Sequence, residues 1–177
     1  MKDYQDLNIT LVHTLKKKIE ALKESEEKFK NIFNNTSDGI LLSDPATKRF
    51  TVANDTICRM LGYTEDELKK FSIMNITPKK YLPHALSEFK KHAQRKIGLT
   101  PNTPIQRKDG SIFYADINST SVKFGGKTYL VGIFRDITER KKAEEALKES
   151  EEKFETIFES VPDGILLADV NTMKFSI

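Results

Sequence analysis

From Tyr4 to Phe33 the apolar residues Val12, Leu15, Ile19, Leu22, Phe29 and Phe33 recur at three- and four-residue spacings among lysines and glutamates. Only Glu26 interrupts the seam. The spacing predicts a helix over 4–33 with an apolar stripe two residues wide. A helix this polar is marginal alone in water, so the stripe predicts either a parallel dimer seam or docking on the chain's own sheet. Asn34-Asn35-Thr36-Ser37-Asp38-Gly39 then breaks the helix with turn-forming residues. Two short apolar runs follow, Ile40–Asp44 and Arg49–Ala53, and read as a hairpin.

Asn54 and Asp55 precede a short helical run, Thr56–Leu61, which Gly62 ends. Thr64 with Glu67 three residues on is a capping-box pattern and opens a second short helix ending near Phe71. Pro78 to Ile97 is expected to be one more helical stretch, stopped by Gly98. Beyond it the period shifts to two. Strands are predicted at Thr103–Arg107, Ile112–Phe124 and Thr128–Arg135, joined by Asp109-Gly110 and Gly125-Gly126 turns. The last strand is the most apolar and is expected at the centre. A charged helix, Glu139–Phe158, follows, with Thr138 placed to cap it. Strand-strand, short helices, then three strands give an α+β fold. The expected architecture is a five-stranded antiparallel sheet with short helices on one face.

The opening stretch returns. Ala21–Val52 recurs without a gap as Ala146–Ile177, 125 residues later. That period is too long for a solenoid unit of about 20–50 residues and suits a small domain plus its connector. The expected division is an N-terminal amphipathic helix (1–28), a domain (29–139), a linker helix (140–158) and the start of a second domain (159–177), cut inside its second strand and so lacking sheet partners.

Composition removes several function classes. Net charge is +3, with Lys and Arg interleaved among Glu, so there is no basic stripe of the kind nucleic acid requires. Cys58 is the single cysteine, which excludes an internal disulfide or a cysteine metal cluster and fits a cytoplasmic setting. No apolar run approaches the ~18 residues of a membrane span. Phe124-Gly125-Gly126-Lys127-Thr128 ends like a phosphate loop but has Ser121 where the first glycine belongs. His13 lacks the following residues expected of a phosphoacceptor. The chain has no paired carboxylates with a positioned histidine, so no enzyme activity and no metal are expected.

Four motifs in order carry a resemblance: Asp38-Gly39-Ile40; Asn54 with Leu61-Gly62-Tyr63-Thr64 and Glu67-Leu68; Arg107-Lys108-Asp109-Gly110; and Gly132-Ile133-Phe134-Arg135-Asp136-Ile137-Thr138-Glu139-Arg140. Together they resemble the PAS domain, a sensory fold of signalling proteins. The resemblance implies a sheet wrapped round a small cavity and coiled-coil-like signalling helices flanking it at both ends. It also implies dimerisation through those helices and relay to a downstream output domain, most often a histidine kinase. It places signal coupling at Asp136, Ile137 and Thr138, and the dimer seam at Val12, Leu15, Ile19, Leu22 and Phe29. Replacing Asp136 or Thr138 by alanine is then expected to uncouple output while sparing the fold. The inward apolar residues expected round a cavity are Leu42, Ile57, Leu61, Phe71, Met74, Phe89, Phe113, Ile117, Val131 and Ile133; plain core packing accounts for them first, and they would also permit a small apolar ligand.

Two cofactor variants of the family bear on residues of this chain. Ile57-Cys58-Arg59-Met60-Leu61 is similar to a flavin-bonding cysteine run but precedes Gly62-Tyr63, where the resemblance requires it to follow. His84 lies near the position of a haem ligand, with His92 further along the same helix. No cofactor is expected. A haem- or flavin-bearing sensor and a ligand-free interaction scaffold stand as the alternatives to a ligand-responsive sensor module.

Overall fold

The structure, a computed structural model, describes residues 2–94, 97–160, 167–168 and 175–176, in two units, Met1–Asp136 and Ile137–Ile177. In the first, a long helix α1 (Lys2–Asn34) leads to strands β1 (Gly39–Ser43) and β2 (Phe50–Ala53). Helices α2 (Asp55–Leu61) and α3 (Glu65–Leu68) follow. After short 3₁₀ turns at Ile73–Asn75 and Lys79–Tyr81 comes α4 (Leu82–Gln94). Strands β3 (Ile97–Gln106), β4 (Ile112–Phe124) and β5 (Lys127–Asp136) complete one antiparallel sheet in the order β2-β1-β5-β4-β3. The last strand is central, as its continuous apolar run predicts.

Local signals set the helix ends. Asn54 accepts from the Ile57 N–H at 2.9 Å and starts α2. Gly62, at φ 76, donates its N–H to the Cys58 carbonyl and ends it, in a conformation that costs a residue with a Cβ. Thr64 and Glu67 form the reciprocal capping box of α3.

The core lies between the sheet and the short helices. Ile57 and Leu61 of α2, Leu68 of α3 and Ile76 pack with Leu41, Ile105, Phe113, Ala115 and Phe134 of the sheet. Burying each large apolar side chain stabilises the fold by about 1.5–3 kcal/mol.

One expected helix is shorter than its pattern suggested. α4 stops at Gln94, and the segment from Ile97, taken as helix end, stop and loop, is already β3. The ladder is irregular between Thr100 and Thr103. There Asn102 adopts φ 52 and donates its N–H to Asp116 Oδ1 at 2.9 Å. This bulge breaks the two-residue alternation that marks a strand.

In the second unit, α5 spans Thr138–Ser160, with Thr138 as its first residue and buried Ile137 where a cap would stand. Leu167–Ala168 pairs antiparallel with Phe175–Ser176, at the positions that repeat the β1–β2 hairpin. The rest of 161–177, where sheet partners were expected to be lacking, lies outside the described residues.

Candidate functional site

Strand parity aims Leu41 and Ser43 of β1, and Leu130, Gly132 and Phe134 of β5, at the helices. Between them and α4 lies a cavity of about 70 Å³. Of the ten residues expected to line it, Phe89 and Ile117 do. Ile57, Leu61 and Phe113 are buried in the adjoining core instead. Phe71 packs edge-on against Tyr63 at 5.0 Å, and Met74 is 51% exposed. Leu42, Val131 and Ile133 belong to the opposite sheet face, where Leu42 pairs with Val131 and Ile40 with Ile133. The reading was off by one residue on both strands. Ile40-Leu41-Leu42 and Leu130-Val131-Gly132-Ile133-Phe134 barely alternate, so their pattern does not reveal which parity faces inward.

The cavity has a polar end that the pattern did not foretell. His92 of α4, 7% exposed, lines it with Glu88, Thr100, Thr103 and Ser119. The imidazole lies directly over Gly98: a Cβ built there would stand 2.1 Å from its Cδ2 and Nε2. Glycine at this point of β3 therefore admits the ring. Gly98→Ala is expected to lower stability by about 2 kcal/mol through overpacking, and His92→Ala in the same chain to recover most of that. Thermal melts of the two variants check it. Glu88 Oε2 stands 3.7 Å from His92 Nε2. Its Oε1 accepts from Lys91 at 2.7 Å, and that contact holds the carboxyl below the usual carboxylate range.

A second set of contacts surrounds the end of β5. Asp136 faces Arg107, Oδ2 to Nη2 at 3.3 Å. The same guanidinium donates through Nη1 to the Met60 carbonyl and lies 4.1 Å from the centre of the Phe113 ring. The neighbouring Lys108 N–H donates to the Leu61 carbonyl at 2.9 Å, and Lys108 Nζ donates to Glu67 at 2.7 Å. The β3–β4 turn thus satisfies the open carbonyls at the C-terminal end of α2 and ties them to the last residue of β5. In the sequence Arg107 stands only as part of a turn motif, and nothing local to it signals Asp136 as its partner.

At the other end of the unit, fully buried Asn54 joins α1 to the core. Its Oδ1 accepts from the N–H groups of Ile40 (2.8 Å) and Ile57 (2.9 Å). Its Nδ2 faces the Phe33 and Asp38 carbonyls and Thr36 Oγ1 at 2.9, 3.1 and 3.2 Å. Arg135, beside Asp136, pairs with Asp38 through two contacts at 3.2 and 2.9 Å.

The remaining expectations are placed plainly. Val12, Leu15, Ile19, Leu22 and Phe29 are about half exposed or more, so α1 does not dock on its own sheet. Phe29 stacks on Phe33 at 5.4 Å, and the repeat pair Phe154 and Phe158 stacks at 6.1 Å. His84 is exposed and lines no cavity. Cys58 is half-buried outside the cavity, and burial, then Glu65 and Asp55, push its thiol pKa up. That is opposite to what a reactive thiolate needs. Among the described residues no group of His, Cys, Asp or Glu is placed to hold a metal, and no helix is long and apolar enough to cross a membrane.

Comparison with known proteins gives the same fold and a family. The PAS domain family matches residues 37–139, and a PAS domain match recurs at 152–175. The methyl sulfide methyltransferase-associated sensor of Methanosarcina acetivorans is 28% identical over 138 residues, covering 78% of this chain and 14% of that protein. Sporulation kinase E of Bacillus subtilis is 28% identical over 175 residues, covering 93% of this chain and 23% of that one. The sensor histidine kinase TmoS of Ectopseudomonas mendocina is 27% identical, with 86% and 16% covered. The chain therefore spans less than a quarter of the length of these relatives. Among solved structures, the PAS domain of an HTR-like protein from Haloarcula marismortui superposes with a TM-score of 0.59 at 22% identity, covering 69% of this chain and 99% of that one. A PAS domain from a two-component sensor histidine kinase gives 0.55 at 21%, with 64% and 98% covered. With its five-stranded sheet, its helical face and a match over 37–139, the chain belongs to the PAS domain family.

Proposed function

We propose that this chain is a non-catalytic sensor and dimerisation module of a signal-transduction protein. Binding of a ligand or partner at the PAS core is relayed through Asp136, Ile137 and Thr138 into α5, and from there to an output domain, a histidine kinase. The kinase output is suggested by the relatives, two of which are named as kinases. The exposed α1 stripe, Val12 to Phe29, supports pairing with a second copy, since about half of each side chain is left to solvent.

The observation that carries the relay is the Arg107 contact set. One guanidinium touches α2 at Met60, the core ring Phe113, and Asp136 at the end of β5. A shift in the wall of the core therefore reaches the last residue before Ile137 through a single side chain.

The magnitude of the pair favours relay over support. Arg107 and Asp136 are each about 30% exposed, and ion pairs of that kind contribute about 1 kcal/mol or less. Asp136→Ala and Thr138→Ala are expected to leave the far-ultraviolet circular dichroism and melting temperature nearly unchanged. In a longer protein carrying its output domain, the same variants are expected to alter phosphorylation several-fold and abolish its response. Collapse of the fold in either variant would count against the relay.

The cavity size favours this reading over a haem- or flavin-bearing sensor. At about 70 Å³ it is roughly half of the 150 Å³ that admits benzene, and His84 lies outside it.

A further inference from the structure

We propose that the polar end of the cavity, formed by Ser119, Thr100 and His92, recognises a small uncharged molecule of three or four non-hydrogen atoms with one hydrogen-bonding oxygen: a short alcohol, ketone or amide. This rests on the reading of the chain as a ligand-responsive module and names the chemistry of its ligand.

The hydroxyls of the lining divide into two groups. Ser43 Oγ donates to the Leu130 carbonyl, Thr77 Oγ1 to that of Ile73 and Thr103 Oγ1 to that of Thr100, at 3.2, 2.7 and 3.2 Å. These close bonds within the wall. Ser119 is 7% exposed and faces the same cavity, yet its hydroxyl has no partner among the described residues, and neither has that of Thr100. Both hydroxyls are therefore open to a ligand oxygen, Ser119 from a buried position and Thr100 from a half-buried one.

The two hydroxyls and the imidazole lie together. Gly98 pairs with Ser119, and Thr100 with Ile117, across the β3–β4 ladder, while the His92 ring rests on Gly98. Leu41, Phe50, Leu130 and Phe134 also line it. The cavity thus offers one polar patch and an apolar remainder.

Charge and size narrow the class. Glu88 is the one acid in the lining, and its carboxylate is held ionised by Lys91. An anionic ligand would stand beside that negative charge. A cation would find the charge already balanced and would lose its water to apolar walls, at a cost the site does not return. On the scale where about 150 Å³ admits the six carbons of benzene, a volume of about 70 Å³ admits about three non-hydrogen atoms, the size range of a short alcohol.

The test is a nuclear magnetic resonance titration of the full chain with 1-propanol, with propionate as the charged counterpart and xenon as the purely apolar one. Saturable shifts at the amides of Gly98, Thr100 and Ser119 are expected with 1-propanol and not with propionate. Ser119→Ala is expected to weaken 1-propanol about tenfold, as loss of one hydrogen bond does, and to leave xenon binding unchanged. Thr100→Val repeats the test on the neighbouring strand. Propanol shifts that never saturate, equal binding of propionate, or unchanged propanol affinity in both variants overturns the proposal. The readout is binding alone. A chain that binds 1-propanol while a fused kinase ignores it refutes the relay and leaves the ligand site standing.

Discussion

Replacing Phe113 by alanine is expected to destabilise the folded core by about 3–5 kcal/mol, the usual range for a buried phenylalanine. The ring is 1% exposed in the middle of β4 and packs within the cluster that joins α2 and α3 to the sheet. Its loss removes apolar burial and leaves a void between layers that are held apart by backbone hydrogen bonds and cannot collapse. It also removes the surface over which the Arg107 guanidinium lies, a contact of about 0.5–2 kcal/mol. For a domain of this size the melting temperature should fall by roughly 10–20 °C. Phe113→Leu keeps most of the volume and should cost well under half as much. Thermal denaturation followed by circular dichroism measures both, and a loss below about 1 kcal/mol for Phe113→Ala would mean that the ring is not packed as described.

Asn54→Ala is expected to cost about 3 kcal/mol, although it removes no large apolar group. The amide is fully buried and satisfied on both sides. Loss of the helix cap alone costs about 1 kcal/mol. The variant also leaves the Ile40 N–H and the Phe33 carbonyl short of a partner, and each group so stranded costs about 1–3 kcal/mol. The effect has a location as well as a size. Phe33 belongs to α1 and Ile40 to β1, so amide exchange should accelerate first in the last turn of α1 and in 36–40. A rise confined to 55–61 would show that Asn54 serves α2 alone.

Much of this arrangement was legible because its signals are local. The Asn54 cap, the αL glycine at 62, the Thr64–Glu67 box and the Asp109-Gly110 turn each act within four residues, and each stands where the pattern put it. The repeat of Ala21–Val52 set a period of 125 residues, the size of a small domain plus its connector. The cavity was less legible because lining depends on parity. Leu42, Val131 and Ile133 sit in runs where both neighbours are nearly as apolar, and only pairing across β1 and β5 fixes which face they take. His92 was noted on a polar helix, where histidine is usually solvated. Nothing within its own helix signals the partner that buries it, Gly98 on the next strand. Arg107 and Asp136 are 29 residues apart, and the two motifs that contain them read as independent until the sheet closes.

The Arg107–Asp136 contact is expected to carry signal rather than stability. The most direct measurement is phosphorylation by a histidine kinase domain fused in register after Ser160, compared for Arg107→Asp, Asp136→Arg and the two together. Each single substitution places like charges in contact and is expected to change kinase activity several-fold. The double exchange, with opposite charges again facing across the same gap, should restore part of the original activity, the Met60 and Phe113 contacts of Arg107 remaining lost, and Asp136→Arg should melt within a few degrees of the parent. Double-exchange activity no better than either single variant, or single variants indistinguishable from the parent, would contradict it.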